Sequence, residues 1–401
     1  NMEKRGYVIA CLWVWSLVAL PLSNLPNRIL LGLLVIWFFV KYRSKVLQIP
    51  YFKLFAATAL VLLVVSGITN KGLSKELLLG LSVPAQGLFL IILRPNSVQF
   101  RKGFHTGVIL ILLILIILKI SAVLQMGLEA YFSQDQWWNL WHYKNLTEPL
   151  SLHPTYLSMF VLTGMVMLLF GSERPNLQND LDAGSLSIFG FYLVSLWLIS
   201  SKIALITTVV VLFVFWIQKL VWSSKRQSIM IGIVLAVAII VPLPSPSTQY
   251  RLTHELKTAM LPLPTDVPNR FSERRALWKS AFVEMDRHPV SGTSFRGIKS
   301  REAIYPKAKF YYTPLEKPMN AHNNFIESGL RYGIVFGVLL FLSSIFGMYK
   351  AFRKRSVEIL GFGLVCIIIS MTESFVFREQ GLSLTALMLL FYYLVENEGN
   401  I

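Results

Sequence analysis

The stretch Asn320-Ala-His-Asn-Asn-Phe-Ile-Glu-Ser-Gly-Leu-Arg-Tyr-Gly-Ile-Val-Phe-Gly337 places a histidine, three asparagines and three glycines at the entrance of a long apolar run. Read as one helix, Gly329, Gly333 and Gly337 fall on a single stripe at four-residue spacing, with His322 on that stripe almost two turns earlier. In a membrane, small residues spaced this way let helix backbones approach closely. The stripe and its histidine therefore face a bundle interior and not lipid, and the rest of the chain reads as scaffold around them.

The 401 residues are 54% hydrophobic and only 15% charged, with a mean hydropathy of +0.57, whereas soluble domains carry roughly 25% charged residues. The expected fold class is an all-α polytopic membrane protein. A formal charge of +17 would point to nucleic acid in a soluble chain. Here Lys and Arg cluster between apolar segments, where they set orientation and meet anionic head groups of membrane lipids, so nucleic-acid binding is discarded. Cys11 and Cys366 both sit inside apolar segments, which leaves no disulfide framework and no Cys-x-x-Cys metal site.

Spanning needs about 20 apolar residues, and about twelve segments qualify: 7–22, 28–42, 51–69, 76–93, 104–125, 150–171, 184–200, 202–222, 228–243, 322–350, 356–372 and 378–395. The seventh and eighth are one apolar run split at Ser200-Ser201-Lys202. Basic short loops follow the even-numbered helices, at Lys41, Arg43 and Lys45, at Arg94, Arg101 and Lys102, at Lys219, Lys225 and Arg226, and at Lys350, Arg353, Lys354 and Arg355. The positive-inside rule then puts both termini in the cytoplasm. The loop after the sixth helix, with Glu173, Asp180 and Asp182, is the exception. The expected organisation is helices 1–9 over 1–243, a large, partly helical extracytoplasmic loop over 244–321, and helices 10–12 over 322–401.

Within that loop, the polar segment from Ser272 to Arg287 reads as a helix that stops before Pro289. The loop is strongly basic. Its charge fits either a solvated surface touching head groups or, at Arg274 and Arg275 beside Trp278, a phosphate or diphosphate that arginine can hold bidentately.

The leading chemical candidate is His322, because an imidazole can take a proton from a sugar hydroxyl at neutral pH and release it afterwards. A histidine hydrogen-bonded at a helix start is the bland alternative. Asn323 and Asn324 read either as helix caps or as sugar ligands. Lys202, at the tight break between two helices, either snorkels to head groups or stabilises a leaving diphosphate. Glu373 and Arg378 either pair with each other, or Glu373 orients His322 and Arg378 adds to a cationic pocket; His153 and Tyr156 open the sixth helix on the same face. No HExxH, G-x-S-x-G or Walker motif is present, and neither a metal nor a cofactor is expected. On an extracytoplasmic face a lipid-linked activated donor is the natural substrate.

These residues resemble a family. His322-Asn323 followed by Gly333, placed after a large loop, is similar to the signature of the bacterial O-antigen ligase and O-antigen polymerase superfamily. The similarity extends to the Ser200-Ser201-Lys202-Ile-Ala-Leu hairpin, to Arg274-Arg-Ala-Leu-Trp278 and to His288-Pro-Val-Ser-Gly292. The resemblance implies a metal-independent, inverting GT-C-type glycosyltransferase of the bacterial inner membrane, with its active site facing the periplasm. Its donor would be an undecaprenyl-diphosphate-linked glycan, with His322 deprotonating the acceptor and Arg274 and Arg275 holding the diphosphate. The family commonly has arginine where this chain has Lys202, which keeps the charge but not the planar fork. Ligase and polymerase differ in acceptor, lipid A-core against a second lipid-linked glycan; the position of the histidine signature after one dominant loop favours the ligase. A non-catalytic lipid-linked glycan transporter is the alternative of another class.

Overall fold

The computed structural model describes residues 97–133, 140–141, 143–150, 152–171, 183–199, 201–222, 270–292, 320–354 and 356–375, with isolated positions at 232 and 236 and between 381 and 392. Among the described residues every regular element is helical. The expected spans 7–22, 28–42, 51–69 and 76–93 lie outside the described residues, and those at 228–243 and 378–395 are described only at isolated helical positions. The chain divides into two compact units, residues 1–164 with 376–401, and residues 165–375.

In the first unit, α1 (Ser97–Met126) is a 30-residue apolar helix. At about 1.5 Å per residue it exceeds the roughly 30 Å hydrocarbon core of a bilayer. Its Phe100 stacks on Phe391 at 4.2 Å, and the Arg101 guanidinium lies over the same ring. Short helices α2 (Leu128–Phe132) and α3 (Tyr143–Thr147) follow. Helix α4 (Pro154–Phe170), whose residues from Met165 onward are counted in the second unit, begins on a proline, whose missing N–H is no loss in a first turn. The His153 carbonyl accepts the first helical bonds, from the N–H groups of Tyr156 (3.0 Å) and Leu157 (3.2 Å).

The second unit holds α5 (Ala183–Ile199), α6 (Lys202–Trp222), α7 (Arg270–Arg287), α8 (Asn324–Tyr332), α9 (Ile334–Arg353) and α10 (Val357–Ser370). The break between α5 and α6 falls at Ser200-Ser201, as expected, and α7 stops before Pro289, also as expected. Helices α1 and α9 are long and apolar enough to cross a membrane. A third span results if Lys144–Leu150 and Pro154–Phe170, bent by 89°, are taken together. With α5, α6 and α10 also apolar, the chain is an integral membrane protein.

One expectation is corrected. The tenth segment, 322–350, is two helices and not one, broken at Gly333. Gly333 has φ 98° and ψ 156°, a region open essentially to glycine alone. Its N–H donates to the Gly329 carbonyl and ends α8, while the N–H of Ile334, first residue of α9, donates to Pro289 at 2.8 Å. The segment after α7 thus supplies a partner that a continuous helix would have supplied itself.

Helices α8 and α9 then fold against each other. A Cβ on Gly337 would lie 2.7 Å from the Phe325 carbonyl oxygen and 2.9 Å from the Gly329 nitrogen. The glycine stripe therefore does allow close backbone approach, but between two halves of one segment and not between separate spans. Phe325 meets Phe341 edge-on at 5.1 Å across the same hairpin. On the other side of α8, Ala281 and Met285 of α7 pack on Leu330 and Ile326. Both pairs are spaced four apart, the spacing at which ridges of one helix fill grooves of the next. Burying a side chain of the Leu or Met class stabilises by about 1.5–3 kcal/mol, so this small cluster suffices to seat α7 on α8.

Candidate functional site

The site is built where α8 begins and α10 ends. Asn323 is the N-cap of α8: its Oδ1 accepts from the N–H groups of Phe325 (2.9 Å) and Ile326 (3.0 Å), satisfying donors that a helix start leaves open. Its Nδ2 donates to the Met371 carbonyl and its backbone N–H to Ser374 Oγ. The Asn324 amide donates to Ser370 Oγ at 2.9 Å, and that residue is fully buried. Of the two roles open for these asparagines, the geometry supports capping and anchoring to the end of α10.

His322 precedes the cap and so lies outside the helix, not on its glycine stripe. Its φ of 48° makes it the one non-glycine residue with positive φ among the described residues. A left-handed residue costs roughly 1–2 kcal/mol, and such strain, where observed, clusters at functional sites. The imidazole Nδ1 lies 3.2 Å from Glu373 Oε2. The other carboxylate oxygen, Oε1, accepts from Arg274 Nη2 at 3.4 Å. Glu373 is nearly buried, with 8% of its side chain exposed, against 32% for His322 and 37% for Arg274.

This arrangement has direct chemical consequences. A carboxylate accepts only, so a neutral imidazole placed here donates Nδ1–H to Glu373 and carries its lone pair on Nε2. That leaves a half-exposed ring with its basic nitrogen turned from the buried partner. The guanidinium is held beside the same carboxylate, so imidazole and cation share one anchor. Of the contacts expected for Glu373, the one with His322 is present, joined by Arg274; the expected partner Arg378 lies outside the described residues.

A neighbour one turn along α7 completes the link. Trp278 Nε1 donates to the Ala321 carbonyl at 2.8 Å, so the helix carrying Arg274 is tied to the residue before the histidine. The structure therefore brings together His322, Glu373, Arg274, Asn323 and Trp278. Lys202 is the first residue of α6 and its side chain is exposed. His153 and Tyr156 lie in the first unit, their rings 5.1 Å apart. Arg378 and the side chain of Arg275 lie outside the described residues.

Residues 186–342 match the O-Antigen ligase family, Wzy_C. The resemblance carried by the His322 and Arg274 motifs is thereby borne out over this segment. No curated protein matches the chain. The O-antigen ligase segment takes in α7, α8, His322 and the Gly333 break, while Glu373 lies 31 residues past its end (373 − 342). Family likeness thus bears on the segment that holds the histidine and the arginine, and only the geometry brings in the carboxylate between them.

Two participants were not singled out by sequence reasoning. Ser374 holds the Asn323 N–H, and a lone serine after an apolar helix gives no signal of that. Glu327, which bonds Arg331 and the Ala321 N–H, could have been noticed: two opposite charges four residues apart in an otherwise apolar stretch are costly unless they meet.

Glu373→Ala is expected to lower transfer about 10- to 100-fold, since a hydrogen bond to a charged group contributes roughly 1.5–3 kcal/mol. Glu373→Gln, which keeps an oxygen toward Nδ1, should lose less. Initial rates of both variants at saturating donor decide it; equal losses would assign the effect to charge and not to orientation of the ring.

Proposed function

We propose that this protein is an O-antigen ligase-type glycosyltransferase, moving a glycan from undecaprenyl diphosphate to a hydroxyl of a lipid A-core acceptor at the periplasmic face of a bacterial inner membrane. The observation that carries this reading is the His322–Glu373–Arg274 cluster, two of whose members lie in the O-antigen ligase segment. His322 Nε2 accepts the acceptor's hydroxyl proton as that oxygen bonds to the anomeric carbon. The bond from that carbon to the diphosphate breaks on the opposite face, inverting the centre, and its electron pair leaves with undecaprenyl diphosphate.

Arg274 lies where a growing diphosphate charge is stabilised. An arginine beside a carboxylate retains further N–H donors for phosphate oxygens, and a second cation strengthens the hold; Arg275 and Lys202 are the residues placed in that role. Glu373 keeps the imidazole in the productive tautomer. Positioning and electrostatics of this kind are sufficient for inverting transfer without a metal ion.

The test is reconstitution of the purified chain in lipid with an undecaprenyl-diphosphate-linked glycan and either lipid A-core or a second lipid-linked glycan. Glycosylated lipid A-core, formed equally well in the presence of a chelator, is the expected product. Consumption of only the second lipid-linked glycan would replace the ligase reading with a polymerase. Movement of the glycan lipid without any new glycosidic bond would make the protein a transporter.

A further inference from the structure

The peptide groups leading into His322 are held one by one. The Ala321 N–H donates to Glu327 Oε2 at 2.9 Å, and the Ala321 carbonyl accepts from Trp278. The His322 N–H donates to Asn320 Oδ1 at 3.1 Å, and the Asn323 N–H to Ser374 Oγ at 3.0 Å. Glu327 stands out among these partners because it is charged and fully buried. Its Oε1 accepts from Arg331 Nε at 2.7 Å. The Arg331 carbonyl in turn sits against the segment after α7, where a Cβ on Gly292 would come within 2.6 Å of it.

A buried ion pair is weak evidence of stability, since well-packed apolar residues of similar volume often serve as well or better. What apolar residues cannot supply is an acceptor for the Ala321 N–H. A bond to a carboxylate is roughly twice as strong as one between neutral groups, and this one fixes the peptide next to the only left-handed non-glycine residue described. We propose that Glu327 is a positioning residue for His322, its carboxylate clamping Ala321 so that the strained histidine presents Nε2 to the acceptor, with Arg331 holding the carboxylate in place. The proposal rests on His322 being the base, and it gives a role to a charge pair that the transfer chemistry does not otherwise use.

Two double variants separate positioning from packing. Glu327→Met with Arg331→Met removes both charges and the acceptor while leaving an unbranched apolar side chain at each position. Glu327→Gln with Arg331→Met also removes the charges but leaves an amide oxygen for the Ala321 N–H. In the reconstituted full chain, the Met/Met variant is expected to lose about a hundredfold in kcat, the loss that a misplacement of about 1 Å produces, with little change in KM for the lipid-linked donor and with cooperative thermal unfolding retained. The Gln/Met variant should recover most of that activity.

Equal activity of the two double variants overturns the proposal, and so does failure of the Met/Met variant to fold, which would mark a purely structural contact. The base assignment is read separately from His322→Asn. Transfer that persists there removes the base, whereas equality of the double variants in a chain whose His322→Asn form is inactive removes only the role of Glu327.

Discussion

Transfer by the His322→Asn protein is expected to fall by about a hundredfold to ten-thousandfold, the range that a positioned general base contributes. Asparagine is the informative replacement because φ is 48° at this position, and asparagine tolerates the left-handed region with little penalty. It keeps the turn while removing the proton acceptor. Alanine would add backbone strain, and its effect would mix folding with chemistry. The decisive measurement is kcat with saturating lipid-linked donor and acceptor, alongside a thermal unfolding curve. A His322→Asn protein that folds normally and still transfers glycan would take the base away from this residue.

Gly333→Ala should be among the most disruptive single-methyl additions within the described residues. At φ 98° and ψ 156° a residue with a side chain pays about 1–3 kcal/mol. The added Cβ would also lie 2.2 Å from the Val290 carbonyl oxygen and 2.8 Å from that of Pro289, backbone atoms that cannot swing aside, at a further cost of about 1–3 kcal/mol. Proteins are stable by only about 5–15 kcal/mol, so the expected result is a large drop in thermal midpoint and displacement of the segment after α7 from the α8–α9 turn. Gly347→Ala is the control, since a Cβ there meets nothing within 4 Å and alanine favours a helix interior. Matching thermal midpoints for the two variants would mean that the break at Gly333 is not what holds the hairpin.

The membrane character and several helix positions were legible because hydrophobic length is a strong signal. α1, α4, α5, α6 and α10 fall on expected apolar segments, and the proline at 289 marked the end of α7. The break at Gly333 was not legible. A glycine repeat of four permits close approach whichever backbone arrives, so spacing alone does not say whether Gly337 meets another span or Gly329 of its own segment. His322 was legible as a polar residue entering an apolar run. Its partner Glu373 is 51 residues away in sequence, and only the packing of α8 on the end of α10 brings the two together. Charge alone made His322 and Arg378 equally plausible partners of Glu373, and distance in space shows the first of these contacts.

The break at Gly333 also divides one stretch of chain into two kinds of text. α9, at 20 residues and about 1.5 Å each, already matches the roughly 30 Å that a bilayer asks of a span. Its Val335, Leu339, Leu342 and Phe346 are exposed, so one apolar side chain serves there nearly as well as another. α8 is free of the task of crossing, and in its nine residues Asn324, Glu327, Ser328 and Arg331 are all buried with named partners. Random substitution should therefore meet wide tolerance on the exposed face of α9 and almost none at the buried polar positions of α8, so that a single apolar run on paper behaves as a spacer joined to a password.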